Sequence, residues 1–275
     1  MALRNHEMNN IQIRVSDRNE LKLISPYACM VAGCTGSGKS RLVLNWLKNP
    51  HLVFRENYRK IYYFYGSAFQ DAFKDPLLKH VCFSKDFKLL EKLASTKHDS
   101  QILIILDDLM NMTGSSEVIL DLYTKGSHHC NIDIINIVQN IFHQGKGSTF
   151  STMKGNTQYV VLKQHVNETK LPLIANALGV APFELTAVYN ECMSTNRYSE
   201  ILIDNHISSN IKKITKLRND LHRITPVLYI SDEKFEMYTR KNVIRPDGGA
   251  GRYYIDINML KDKCTQSVRH DHSFG

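Results

Sequence analysis

The 275-residue chain is 43% hydrophobic and 23% charged, with 14 glycines and 7 prolines, which excludes collagen-like, low-complexity and wholly disordered chains and leaves enough length for a sizeable core. No apolar run approaches the roughly 20 residues of a bilayer span, and the opening MALRNHEMNN lacks the apolar centre of a signal peptide, so neither membrane nor secretion is indicated. The formal charge of +8 divides into +4 over residues 1–50, −1 over 51–204 and +5 over 205–275, a near-neutral middle with basic flanks that fits an enzyme core whose outer segments meet a polyanion, or simply solubilising surface charge.

Taken in chain order, residues 1–25 form a basic segment, and from Tyr27 short β-rich apolar runs alternate with helical stretches. YACMVAG (27–33) predicts a strand, Gly38 to Lys48 a helix and KIYYFYG (60–66) a second strand. DFKLLEKLA (86–94) reads as helical, ILIIL (102–106) as a strand, Ser116 to Lys125 as a helix and IDIINIVQ (132–139) as a strand. Uninterrupted apolar strands are buried on both faces, so the pattern predicts an α/β chain with a mainly parallel sheet. YVVLK (159–163), helices near Lys170–Leu178 and Pro182–Cys192, and SEILID (199–204) extend it. From Asn205 to Arg223 the chain turns basic and reads as helical, ahead of a strand VLYIS (227–231), a loop bearing Gly248, Gly249 and Gly251, and a fraying terminus from about Lys261. No repeat or interdomain linker interrupts this order, which predicts one continuous core. The six cysteines form no CxxC pair and read as reduced intracellular thiols.

The sharpest motif is GCTGSGKS, in which Gly33, Gly38, Lys39 and Ser40 match GxxxxGK[ST] between a predicted strand and helix. Glycines let the backbone of Gly33, Cys34, Thr35, Gly36, Ser37 and Gly38 curl so that its N–H groups face phosphate, and the following helix adds its dipole. Lys39 would reach the β- and γ-phosphates and Ser40 would place its hydroxyl on Mg²⁺. An ordinary glycine-rich turn is the bland alternative. ILIILDD ends a buried strand in Asp107 and Asp108, where a P-loop protein holds Mg²⁺ through water and polarises the attacking water. Asp107 is the metal candidate and Asp108 the general base, although many such ATPases carry the longer Glu there. A pair of solvated carboxylates capping a turn is the alternative reading.

Gln139, at the tip of the strand 132–139, is a candidate sensor able to hydrogen-bond γ-phosphate or orient water, or else a strand-terminal turn former. His128 and His129 point in different directions and lack the partners of a tetrahedral metal site. In the aromatic run Tyr62–Tyr65, alternate members are expected in the sheet core rather than stacked on bases.

The ordered blocks GCTGSGKS, KIYYFYG, VCFSKDF, ILIILDDLM, YTKGSHH, INIVQNIFHQGKG and NTQYVVLK resemble the FtsK/HerA-type genome-packaging ATPases of polinton-like viruses and adintoviruses, and more distantly those of poxviruses and adenoviruses. The resemblance runs from about Pro26 to Asp204. It implies a RecA-like P-loop NTPase core over residues 26–204, a basic C-terminal extension over 205–275 packed on or continuing that core, and a homo-oligomeric ring. It further implies ATP and Mg²⁺ as cofactors, and double-stranded DNA and capsid or portal proteins as partners. The expected setting is intracellular, in the nucleus or cytoplasm of a host cell or in the virion. By position it assigns Gly33–Ser40 to phosphate, Asp107 to Mg²⁺, Asp108 to catalysis and Gln139 to sensing. Relatives carry an arginine after the HQGKG block that reaches the neighbouring subunit's site, but no Arg occurs from Ile61 to Asn196 and Ser151 stands in its place. Lys146, Lys154, Arg197 or Arg218 are the substitutes to consider, a lysine giving a point charge instead of a planar fork.

The leading expectation is a ring ATPase that translocates double-stranded DNA, with Lys212, Lys213, Lys216 and Arg218 contributing sequence-independent backbone contacts unless they form a solvated helix face. A P-loop kinase for a small molecule would need an arginine-bearing lid, which the arginine-free middle disfavours. A non-motor DNA-binding protein switched by nucleotide is the other alternative.

Overall fold

The computed structural model describes residues 8–12, 18–66, 70–109, 117–126, 129–139, 141, 155–164, 168–196, 198–209, 215–219, 227–231, 244–246 and 253–255. Twelve strands are described: β1 (Met8–Gln12), β2 (Ala28–Ala32), β3 (Lys60–Tyr65), β4 (Val81–Ser84), β5 (Ile102–Asp107), β6 (Ile132–Val138), β7 (Tyr159–Lys163), β8 (Glu200–Asp204), β9 (Leu217–Asn219), β10 (Val227–Ser231), β11 (Ile244–Pro246) and β12 (Tyr253–Ile255). The first ten form one sheet in the order β1-β10-β9-β8-β7-β2-β6-β5-β3-β4, and β11 and β12 pair separately as an antiparallel ribbon. From β4 to β7 the strands run parallel, and from β7 through β8, β9 and β10 to β1 every pairing is antiparallel.

Helices α1 (Lys39–Lys48), α2 (Pro50–Val53), α3 (Phe87–Ser95), α4 (Glu117–Asp121), α5 (Leu171–Leu178) and α6 (Pro182–Thr195) accompany the sheet. Every residue of β2, β5, β6 and β7 is buried, which is why these strands read as continuous apolar runs. On one face Tyr27, Cys29 and Val31 pack in a core with Val43, Trp46 and Leu47 of α1. On the other, Met30 and Ala32 meet Ile174, Leu185 and Val188 of α5 and α6, while Ala28 joins Leu90 of α3 and Ile119 of α4. The sheet therefore divides the expected single core into layers on its two faces, the α/β arrangement of a P-loop NTPase with helices flanking a mainly parallel centre. The strand that feeds the glycine-rich loop, β2, and the strand that ends in the two aspartates, β5, are separated by β6 alone.

Local chemistry fixes the element ends. The Asp86 side chain accepts from Lys88 N at 2.9 Å and caps α3, Pro50 opens α2, and Gly179 closes α5 at φ 62°. The predicted helix near Ser116–Lys125 is α4 followed by a π-turn over Leu122–Gly126.

One expectation is overturned. The basic stretch from Asn205 to Arg223 was expected to be helical, but its described part contains β9, paired with both β8 and β10. Ile211, Ile214 and Leu217 recur at helical spacing, yet Thr215 is β-branched, Leu217 is buried in the sheet and Arg218 forms an ion pair with Asp204 (3.0 Å). Tertiary pairing outweighs the local pattern. Lys212, Lys213, the glycines at 248, 249 and 251, and the terminus from Lys261 lie outside the described residues. No described helix is long and apolar enough to cross a membrane.

Candidate functional site

Strand register aligns the site. Ala32 of β2 pairs with Val138 of β6, and Asp107 of β5 pairs with Ile137, so Gly33, Asp107, Asp108 and Gln139 all emerge at the C-terminal edge of the parallel strands. Ligands of open α/β sheets bind at this edge.

The loop from Gly33 to Ser40 closes on itself. Gly33 N–H donates to Val138 O at 3.3 Å and Ser37 N–H to Cys34 O at 3.2 Å. Gly36 and Gly38 have φ of 80° and 83°, the left-handed region that costs glycine little. A β-carbon on Gly33 would lie 2.7 Å from both Lys163 Cβ and Ser37 Oγ, so the first glycine of the motif is required by packing instead of by its dihedrals. Gly38 opens the ten-residue α1 without any side-chain cap, leaving helix N–H groups for an anion. Ser37 Oγ is buried in the loop with no hydrogen-bond partner among the described residues. Together these features make a cradle suited to phosphate.

Lys39 is 9% exposed and its Nζ donates to Cys34 O at 2.8 Å. Burial pushes its ammonium pKa below the usual lysine value, while the neighbouring Asp107 and Asp108 pull it back up. Asp107 is buried, and burial raises its carboxyl pKa above the ordinary range, opposed by hydrogen bonds from Tyr63 and Ser40. The Tyr63 phenol donates to Asp107 Oδ2 at 2.5 Å, and Ser40 lies near enough to both to hold their pKa values down. Ser40, Tyr63 and Asp107 therefore form one polar cluster beside Lys39. A serine hydroxyl and a buried carboxylate next to a phosphate cradle are the hard oxygen donors that Mg²⁺ takes, so the residues present fit a Mg²⁺–nucleotide.

Asp108 is exposed immediately beyond β5, with φ 56°, a left-handed conformation that Asp tolerates better than most residues. Its carbonyl oxygen lies only 2.3 Å from where a β-carbon on Gly66 would stand. The turn after β3 is thus shaped to let the Asp108 backbone pass. Gln139 is exposed just past β6. The sequence motifs are gathered at one edge, with Thr35 and Gly36 exposed at the loop tip and Cys34 partly buried.

Two contributors were missed. Lys163 at the end of β7 is buried, forms an ion pair with Glu200 (3.2 Å), donates to the Tyr198 carbonyl and sets its Cβ against Gly33. Tyr198 in turn lays its ring edge against Gly38. A lysine at the tip of an otherwise apolar strand was the available signal. The second is Tyr63, expected in the core and found there, but with its hydroxyl on Asp107.

Arg218 is corrected as both a neighbour-reaching cation and a DNA contact. It is 1% exposed, held against Asp204, and among the described residues none of its N–H groups has an aligned hydrogen bond. Lys216 also departs from a solvated helix face, since its Nζ donates to Leu178 O and Gly179 O, both at 3.0 Å, at the end of α5. His128, Lys146, Ser151, Lys154 and Arg197 lie outside the described residues. His129 is exposed, and no cluster of three metal-ligating side chains occurs among the described residues.

No protein-family model matches the chain and no curated protein matches it. Among solved structures, the chain is similar to the genome packaging NTPase B204 from Sulfolobus turreted icosahedral virus 2 in complex with AMPPCP, with 16% identity over 65% of this chain and 92% of that one and a TM-score of 0.44. It is similar to B204, the DNA-packaging ATPase from Sulfolobus turreted icosahedral virus, with 14% identity, 66% and 93% coverage and a TM-score of 0.44. It is also similar to the pCW3 conjugation coupling protein TcpA with ATPγS, with 15% identity, 62% and 58% coverage and a TM-score of 0.37.

Proposed function

We propose that the chain is a Mg²⁺-dependent ATP hydrolase that works as an oligomeric ring and drives double-stranded DNA into a viral capsid. The observation that carries the hydrolase is the convergence of Lys39, Ser40 and Asp107 at one sheet edge, with Asp108 and Gln139 beside them. The motor and its DNA, capsid or portal partners rest on the ordered sequence blocks from GCTGSGKS to NTQYVVLK. An intracellular setting, in the host nucleus or cytoplasm or in the virion, goes with that reading.

In this reading the N–H groups of residues 33–38 and the start of α1 hold the β- and γ-phosphates, and Lys39 exchanges Cys34 O for phosphate oxygen. Ser40 and Asp107 would hold Mg²⁺, which would neutralise charge developing on the phosphates. Asp108 accepts a proton from water as the water oxygen bonds to the γ-phosphorus and the bond to the bridging oxygen of ADP breaks. Gln139 hydrogen-bonds the γ-phosphate or the water. With Arg218 buried, the cation supplied by a neighbouring subunit falls to Arg197, Lys146 or Lys154.

ATP turnover measured with and without double-stranded DNA over a range of protein concentrations tests this, with Lys39→Ala and Asp108→Asn as controls. Turnover stimulated by DNA and rising with assembly is expected. No turnover in any assembled, DNA-bound condition refutes the motor in favour of a nucleotide switch, and DNA-independent turnover by monomer points to a small-molecule kinase.

A further inference from the structure

Tyr63 is the one side chain in the cluster that belongs to neither the phosphate loop nor the ILIILDD block. Its hydroxyl lies 2.5 Å from Asp107 Oδ2, within the range of a charge-assisted O–H···O⁻ bond. The register explains the reach: Tyr65 pairs with Asp107 and Tyr63 with Ile105, so Tyr63, Ile105 and Asp107 share a sheet face and the long phenol spans the two-residue offset. The ring itself has no freedom to leave. It is fully buried and lies against both Phe73 and Phe83, each 5.3 Å away between ring centroids, and those two rings stack on each other at 4.4 Å.

We infer that Tyr63 is the positioning residue of the metal site: its phenol fixes one oxygen of Asp107 and thereby aims the other at the cation bound with nucleotide. The inference rests on the proposed role of Ser40 and Asp107. Ser40 adjoins both Tyr63 and Asp107, and the Tyr63 bond keeps the buried carboxylate partnered whichever way the Ser40 hydroxyl turns. A carboxylate at the end of a strand otherwise rotates about χ1 and χ2, and partners of ligating groups set affinity by suppressing that motion. The stacked Phe73 and Phe83 complete the device by holding the phenol that holds the aspartate. Tyr63 acts through Asp107 alone, as a positioning residue.

The test is Tyr63→Phe in the full chain, which keeps the ring and removes the oxygen. Two affinities are read: a fluorescent non-hydrolysable ATP analogue in EDTA, and Mn²⁺ by electron paramagnetic resonance in the presence of that analogue. The expected result is analogue binding in EDTA within twofold of wild type and Mn²⁺ affinity lowered about tenfold or more. A merely structural role lowers both affinities together and overturns the inference, as does unchanged Mn²⁺ affinity. Asp107→Asn separates the two levels: if wild type and Asp107→Asn bind Mn²⁺ alike, the metal site itself is refuted and the role of Tyr63 falls with it. Should Tyr63→Phe fail to fold, Phe83→Leu loosens the clamp while keeping the phenol, and the same split between the two affinities is expected at a severalfold level, its absence overturning the inference.

Discussion

Replacing Gly66 by alanine isolates the geometry of Asp108 from its chemistry. The added β-carbon falls 2.3 Å from the Asp108 carbonyl oxygen, 3.2 Å from its carbonyl carbon and 3.4 Å from Leu109 Cδ2. Carbon and oxygen make ordinary contact at about 3.3 Å, so the overlap is close to 1 Å, and the obstructing atom is backbone that cannot rotate aside. Gly66 N–H also donates to Asp107 O at 2.9 Å, so strand β3 cannot retreat without loosening the carboxylate strand. Overpacking of this kind costs about 1–3 kcal/mol, equivalent to roughly 2–5 °C of melting temperature at this chain length. The larger effect is on turnover: a 1 Å displacement of a catalytic group costs about a hundredfold. Gly155→Ala, whose β-carbon meets nothing within 4 Å among the described residues, is the matched control and is expected to change stability by less than about 0.5 kcal/mol. The assay is steady-state ATP hydrolysis beside binding of a non-hydrolysable analogue. Turnover of Gly66→Ala within threefold of wild type refutes the claim that the Asp108 backbone is held by the close approach of Gly66.

Lys39→Ala is expected to abolish turnover and weaken analogue binding, read by fluorescence titration, since the buried ammonium is the only side-chain cation among the motif's eight residues. Asp204→Asn leaves Arg218 buried without a carboxylate and is expected to cost about 3–5 kcal/mol in urea unfolding; a loss below 1 kcal/mol shows that the pair is not a stabilising contact. Asp133 carries a pH signature. It is buried at the start of β6, accepts from Tyr27 N, Ser25 Oγ and Tyr58 OH at 2.8–3.0 Å, and burial pushes its pKa up to about 6 from 3.8 despite those bonds. The folded state therefore binds this proton more tightly than the unfolded state, so the group's contribution is fully present below pH 3.8 and lost as pH rises through 6, about 3 kcal/mol across that window. Asp133→Asn is expected to flatten the stability profile between pH 4 and 6, and an unchanged slope there refutes the assignment.

Much of the site was legible because its signals are local. The spacing from Gly33 to Ser40 and the flanking apolar strand and helix lie within about twenty residues, and ILIILDD announces its own burial and its polar end. What escaped depends on pairing across distance. Tyr63 reads as one aromatic among four, and its bond to Asp107 exists only because β3 lies beside β5 in one register. Lys163 needs β7 beside β2, and Glu200 from a later strand, before its burial makes sense. The strand β9 was misread because hydrophobic residues at positions 211, 214 and 217 satisfy a helical period that the sheet then overrode. The polar MNNIQ of β1 carries no strand pattern of its own, and its pairing partner lies more than two hundred residues away.

That distance has a consequence in time. Gln12 pairs with Val227 and Met8 with Ser231, so β1 leaves a ribosome more than two hundred residues ahead of the strand it pairs with. At typical synthesis rates of about 5–20 residues per second, β1 waits roughly ten to forty seconds for β10. The parallel strands and the phosphate loop, complete by Lys163, can form during that interval. The edge that carries Gly33, Asp107 and Gln139 can thus be assembled before the antiparallel wing closes, and β1 has no partner strand until translation has passed Ser231.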